Sequence, residues 1–234
     1  MKNIIFGVLI FLGLRVFSAA EGILDDPNGG HRNAEMSYAF GMYVASDLLE
    51  TGLEFNYSAF SRGFRAVMEK EKTRYTMEEA VRIIQESFEA AFTETGERNR
   101  NEGAAFLAEN GLRPSVITTQ SGLQYEIIVE GSGEIPGPAD TVLVHYRGMT
   151  LDGNVFDATY DEDDEGTPME LPLDNVIAGW SEGLRMMREG GKTRLFIPPE
   201  LAYGERGAGG IIGPNAVIIF DVELLGIVKA PEAE

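Results

Sequence analysis

Two periodicities divide this chain. From Ala34 the apolar positions recur at helical spacing: Tyr38, Met42, Ala45 and Leu49 form one stripe, and Gly52 stops it. A second helix carries Phe60, Phe64, Val67 and Met68 on one face. A third opens at Thr76-Met77-Glu78-Glu79, a capping box in which Thr76 and Glu79 satisfy each other's end donors. Its stripe is Met77, Val81, Ile84, Phe88 and Phe92. The polar run from Thr93 to Gly103 includes Gly96 and Gly103, each unfavourable by ~1 kcal/mol relative to Ala, so a helix through it is pliable. Ala104–Asn110 resumes the helix and Gly111 caps it. Leu112 to Gln120, with Pro114, reads as an extended link.

From Ser121 the period becomes two. Gly122–Gly131 and Thr141–Met149 read as strands, the first followed by a Gly/Pro-rich turn that runs to Pro138. Leu151-Asp152-Gly153-Asn154 is hairpin-turn chemistry. Asn175–Met187 is the one helical stretch of this half, with Trp180 and Leu184 four apart. Lys192–Pro198 and Ala216–Val228 are further strands, the last apolar enough for the middle of a sheet. The expected fold class is α+β, an all-α N-terminal domain followed by a twisted antiparallel sheet wrapped on one short helix.

The ends carry other information. Met1-Lys2-Asn3 precedes an apolar run, Ile4–Leu14, and Ser18-Ala19-Ala20 offers small residues for cleavage after Ala20. The run is shorter than the ~20 residues a spanning helix needs. We read residues 1–20 as an export signal peptide; Arg15 leaves a retained anchor as the alternative. Residues 21–33 read as a flexible lead rich in turn residues, 34–92 as the helical domain, 93–120 as linker helix and link, 121–228 as the sheet domain and 229–234 as a tail. The expected product is a soluble periplasmic protein without an integral membrane segment; cell-surface association is compatible with the same leader.

Charge and composition narrow the chemistry. The 234 residues carry a formal charge of −19, which excludes a basic face for nucleic acid. There is no Cys, so disulfides, thiolate catalysis and cysteine metal sites are excluded. The acidic loop Asp161–Gly166 lacks EF-hand ligand spacing and reads as solvated, and no metal or cofactor is implied. Neither His has the partners of a Ser-His-Asp site; His145 alternates away from Tyr146 along its strand.

What remains is a set of short runs: Val144-His145-Tyr146-Arg147-Gly148, Val155-Phe156-Asp157, Val176-Ile177-Ala178-Gly179-Trp180, Leu201-Ala202-Tyr203-Gly204 and Ile219–Leu225. They are aromatic, apolar and almost free of titratable groups, which suits a reaction needing shape and desolvation, such as rotation about an X–Pro bond. These runs resemble the FK506-binding-protein (FKBP) class of peptidyl-prolyl isomerases. Residues 37–64, with Ser37-Tyr38-Ala39-Phe40-Gly41 and Ala59-Phe60-Ser61-Arg62-Gly63-Phe64, are similar to the N-terminal domain of its Mip-like periplasmic members.

The resemblance implies a homodimer joined through the helical domain, where residue reading alone leaves a small bundle core as the other explanation of the stripes. It implies Trp180 as the floor under a proline ring, Tyr146, Phe156, Val176, Ile177 and Phe220 as walls, and Tyr203 and Ile212 as the rim. The Ile177 N–H and Tyr203 hydroxyl would bond ligand carbonyls, and Asp157 would lie beside the twisting carbonyl, with Tyr146 as its candidate partner. Asp157, Tyr146 and Tyr203 are therefore the candidate catalytic residues. Proline-containing unfolded or exported polypeptides are the implied substrates, and macrolides of the FK506 and rapamycin type the implied inhibitors.

Two positions depart from the family pattern. Met169 stands where a pocket-edge Phe is usual, with Leu171 as the next apolar residue, and the loop from Ala158 to Pro168 is long and acidic. The connecting helix also looks shorter than the family's. A proline-docking holdase chaperone or binding module with little catalysis is the rival reading.

Overall fold

A computed structural model describes residues 29–49, 51, 53–160 and 166–230. The expected signal peptide, Glu21–Asn28 of the lead, the middle of the acidic loop and the last four residues lie outside this set. Two compact units divide the chain, Met1–Gly52 and Leu53–Glu234. In the first, helix α1 spans Gly29–Leu49, so the helix takes in five residues assigned to the lead. Most of its apolar residues, Tyr38, Met42 and Leu49 among them, are exposed, while Val44 and Leu48 are half-buried.

The second unit begins with two more helices. α2 (Tyr57–Met68) is capped by Asn56, whose side chain accepts from the Ala59 N–H. α3 (Met77–Asn110) opens with the expected capping box, Thr76 N–H donating to Glu79 Oε2 at 2.8 Å and Glu79 N–H to Thr76 Oγ1 at 3.2 Å. It then runs unbroken for 34 residues, so the polar stretch from Thr93 is the same helix as the apolar stripe before it. Phe60 and Phe64 on α2, and Ile84 and Phe92 on α3, are exposed.

The expected pliability of α3 is offset by packing. Gly96, Asn99, Gly103, Phe106 and Asn110 recur at spacings of three and four and face the sheet domain. Gly96 and Gly103 are buried; a Cβ on Gly103 would lie 2.7 Å from Val217 Cγ2. Phe106 meets the Phe196 ring at 5.8 Å, and Asn110 Nδ2 donates to Gln124 Oε1. The glycines are close-approach positions, with tertiary contacts compensating their low helix propensity. Gly111 ends the helix, yet with φ −67° rather than in the left-handed form of a glycine cap. Its lack of a side chain admits Gln124 Nε2, which would stand 3.0 Å from a Cβ there.

Among the described residues seven strands follow: β1 (Val116–Thr118), β2 (Gln124–Val129), β3 (Thr141–Thr150), β4 (Val155–Ala158), β5 (Met169–Pro172), β6 (Lys192–Ile197) and β7 (Ile218–Val228). The order is β1-β2-β6-β7-β3-β4, all antiparallel, with β5 beside β4 on the same edge of β3. β1 falls inside the segment read as a link; it pairs with β2, so the sheet starts before Ser121. β7 sits between β6 and β3, as its apolar run requires. Ile218, Phe220, Val222 and Leu224 are buried while their neighbours are less so. On the outer face Arg194 makes a two-pronged ion pair with its cross-strand partner Asp221, at 2.6 and 2.8 Å.

The short helix α4 (Ala178–Leu184) lies against the inner face. Gly179 and Gly183, one turn apart, let it approach β6: a Cβ on either would lie 2.4 Å from Ile197 or 2.7 Å from Leu195. This close seat carries Trp180 into the core. The chain leaves the sheet at Lys229 and Ala230, both bonded to Asp140, so the start of the expected tail is pinned to the domain.

Candidate active site

β3, β7 and α4 build the floor of the site. Inward-facing Tyr146 on β3 stands across from Val222 of β7, with Phe220 of the same face two residues along. The Trp180 ring meets Tyr146 at 5.0 Å and Phe220 at 4.9 Å, both edge-on, and Phe156 meets Phe220 edge-on at 5.5 Å. Edge-to-face pairs place a ring's positive rim on its neighbour's negative face, and such pairs contribute about 0.5–1.5 kcal/mol each beyond area burial. Tyr146, Trp180 and Phe220 are each about 96% buried. Trp180 Nε1 is the one buried side-chain polar atom without a partner among the described residues.

Phe156 and Asp157 are consecutive, and strict strand alternation would send them to opposite faces. Both nevertheless join the site, because the β3–β4 register shifts between Gly148 and Met149. An irregularity of this kind re-aims a side chain. The Tyr146 hydroxyl donates to Asp157 Oδ2 at 2.7 Å and lies 3.8 Å from Met169 Sδ. Burial pushes the Tyr146 phenol well above its ordinary pKa; the bond to Asp157, the charge on Asp157 and the nearby Tyr203 act in the same direction. The hydroxyl is therefore held protonated, as a donor.

The remaining expected residues grade outward. Phe156, Leu171, Val176 and Ile177 are half-buried against the core, whereas Asp157, Met169 and Tyr203 are exposed. Ile212 was expected at the rim beside Tyr203; it is buried within the core cluster, and its neighbour Ile211 faces outward. Ile177 stands just before α4, and its own N–H donates to no group among the described residues. His145 lies on the other side of β3, with Nδ1 2.9 Å from Thr159 Oγ1.

Two contributors escaped the sequence reading. A Cβ on Gly148 would lie 2.5 Å from the Phe220 ring and 2.8 Å from that of Phe156, so this strand glycine makes room for two walls. A glycine inside a strand was the available sign. Thr159 clasps the Tyr146 backbone: its Oγ1 accepts from the Tyr146 N–H and its N–H donates to the Tyr146 carbonyl. A lone Thr beside an acidic loop gave no sign of this.

Residues 133–225 match the domain family described as FKBP-type peptidyl-prolyl cis-trans isomerase. Residues 33–127 match the domain that lies amino-terminal to it. The chain belongs to the FKBP family of peptidyl-prolyl cis–trans isomerases. It is 40% identical over 198 residues to the FKBP-type 22 kDa peptidyl-prolyl cis-trans isomerase of Escherichia coli, covering 83% of this chain and 95% of that one. With the outer membrane protein MIP of Legionella longbeachae it shares 34% over 203 residues, 84% and 86% of the two chains. The crystal structure of FkpA from Escherichia coli superposes with a TM-score of 0.67 at 32% identity, over 86% of this chain and 97% of that one.

Proposed function

We propose that this FKBP catalyses cis–trans rotation about X–Pro bonds of exported polypeptides at the Tyr146–Trp180–Phe220 cluster. The observation that carries the reading is a buried aromatic floor with one carboxylate, Asp157, at its open side, tied to the floor through Tyr146. The uncatalysed barrier is ~18–20 kcal/mol, and it is high because twisting breaks amide resonance. The planar form has a more polar carbonyl than the twisted one, so a site that withholds water favours the twisted state. A rate gain of ~10⁴-fold needs about 5–6 kcal/mol of such differential binding. No bond to the protein forms, so no nucleophile or base is needed.

In this reading the proline ring rests on Trp180 between Phe156, Val176 and Phe220. The free Ile177 N–H and the Tyr203 hydroxyl bond the substrate's carbonyls and fix the chain on one side of the rotating bond. Asp157 lies beside the twisting carbonyl, its charge oriented by the Tyr146 donor. Met169 and Leu171 form the edge that meets the residue before proline; the thioether is more adaptable than a ring and widens the range accepted. Macrolides of the FK506 type are proposed as ligands of the same floor and edge.

The test is cis-to-trans turnover of a short X–Pro peptide by the mature chain and by Asp157→Ala. Turnover that drops in a variant with unchanged circular dichroism supports the reading; a folded wild type without turnover overturns it.

A second activity has its own support. Apolar residues of α1, α2 and α3 are exposed in the single chain, Phe60, Phe64, Ile84 and Phe92 among them. We propose that these faces pair in a homodimer and that the dimer grips unfolded chains as a holdase. The isomerase domain then begins at β1 rather than at Ser121, with the second half of α3 attached to it. Export to the periplasm is proposed from the leader; no described helix is long and apolar enough to cross a membrane.

A further inference from the structure

The loop that carries Tyr203 and Ile212 is tied down from outside the sheet domain's core, by α3. Its base is closed where the Asn215 N–H donates to the Gly204 carbonyl at 2.8 Å. Its tip is a small hairpin in which Ala208 and Ile212 exchange backbone bonds at 2.8 and 3.0 Å. α3 grips that base with two carboxamides running in opposite directions. Asn99 Nδ2 on the helix donates to the Pro214 carbonyl at 2.9 Å, and Asn215 Nδ2 on the loop donates to the Gly96 carbonyl at 3.3 Å. The fit is close: a Cβ on Gly213 would lie 2.8 Å from Asn99 Nδ2.

Asn215 has φ 55°, a left-handed conformation that is uncommon in a residue with a side chain but tolerated by Asn. The clasp holds that turn in place. Tyr203 is one peptide from Gly204, whose carbonyl the Asn215 N–H holds.

We infer that Asn99 and Asn215 are positioning residues for substrate binding: α3 braces the Leu201–Asn215 loop so that Tyr203 is fixed before a substrate arrives. A preset loop avoids ordering on binding, so the brace acts on affinity more than on the rotation step. The exposed Arg100–Glu205 pair beside it, at 3.3 Å, contributes little to this because solvent screens it. The inference rests on the isomerase site proposed above.

The experiment uses the full mature chain and a short X–Pro peptide. Asn99→Asp keeps the shape and replaces the donor with an acceptor facing the Pro214 carbonyl. Asn215→Gly keeps the left-handed backbone and removes only the side-chain donor. Both should raise KM about five- to tenfold with kcat within twofold, and both should speed hydrogen exchange at the Ile212 and Asn215 amides. Phe106→Ala removes helix packing on Phe196, away from the loop, and should lower Tm with KM unchanged. Unchanged KM in the two asparagine variants, a fall confined to kcat, or an equal KM rise in Phe106→Ala would overturn the brace. A wild type without turnover would reject the isomerase reading instead. The brace would then be read from peptide affinity by quenching of Trp180, the only Trp in the chain, with the same variants and the same expected rise.

Discussion

Tyr146 and Asp157 meet across the β3–β4 register shift, the buried phenol donating to the exposed carboxylate at 2.7 Å. Because burial and the Asp157 charge raise the phenol's pKa, the folded state keeps this proton where the unfolded chain loses it. The unfolded chain releases it near pH 10. Below that the contribution is fully present; above it the folded state binds more protons, so stability falls as pH rises. Tyr146→Phe should therefore lose stability at neutral pH, by about 1–3 kcal/mol for the broken bond to a charged group. It should also show a shallower alkaline decline than wild type. Urea titrations at pH 7, 9 and 10.5 measure both effects, and parallel curves for the two proteins would reject the linkage.

Gly148→Ala should damage site and fold together. The new methyl would need to displace the rings of Phe220 and Phe156, the first of them fully packed. Overpacking of this kind costs about 1–3 kcal/mol. For a chain of this size each kcal/mol lowers Tm by about 2–4 °C. Turnover should fall about tenfold or more, since a wall moves against Trp180. A variant with wild-type Tm and turnover would mean that the rings move aside freely.

Some of this was legible in the sequence and some was not, for physical reasons. Tyr146, Phe220 and Trp180 were brought together by the resemblance to the FKBP family, whereas the two-residue period of β3 told only that His145 faces away from Tyr146. The capping box at Thr76 was legible because its chemistry is local. Gly96 and Gly103 were read as weak points, because a glycine's partner across a tertiary contact leaves no mark in its own neighbourhood. β1 was read as a link because three residues after a proline carry no period; only pairing with β2 makes them a strand. Ile212 was placed at the rim and is buried because the 208–212 hairpin folds back onto the core.

Those helix glycines yield the next expectation. Gly103→Ala gains up to ~1 kcal/mol in helix propensity but sets a methyl 2.7 Å from Val217 Cγ2, itself fully buried. The clash should win, giving net destabilisation of about 1–2 kcal/mol. Removing the obstacle tests the cause: Gly103→Ala with Val217→Ala should be less destabilised than the sum of the single variants. Additive losses in denaturant melts would place the strain elsewhere.

Asp140 contributes to the acid limb alongside Glu126 and Asp152, whose carboxyls are also held below the ordinary range. It accepts from the backbone N–H groups of Ala230 and Gly137 and pairs with Lys229 at 3.2 Å, and these donors hold its carboxyl below the ordinary carboxylate range. The unfolded chain takes up this proton first as pH falls, so the contribution is present at neutral pH and lost below about pH 4. Asp140→Asn should be less stable at pH 7 and lose less on going to pH 3. Melting at the two pH values decides it, and an equal acid loss in both proteins would remove Asp140 from the account.

The exposed apolar helix faces carry the last prediction. Phe60 and Phe64 lie four apart on α2, forming one ridge with Met68, and leaving such a ridge in water is unfavourable by about 1.5–3 kcal/mol per large side chain. If a second copy covers it, Phe64→Glu places a charge in the interface and should convert the dimer to monomer at micromolar concentration. Turnover of a short peptide should stay within about twofold, since the site of Tyr146 and Trp180 lies wholly in the sheet domain. Suppression of aggregation of an unfolded client should fall with the dimer. Sedimentation of both proteins reads the first outcome directly, and a wild type found only as monomer would leave the ridge to unfolded chains alone.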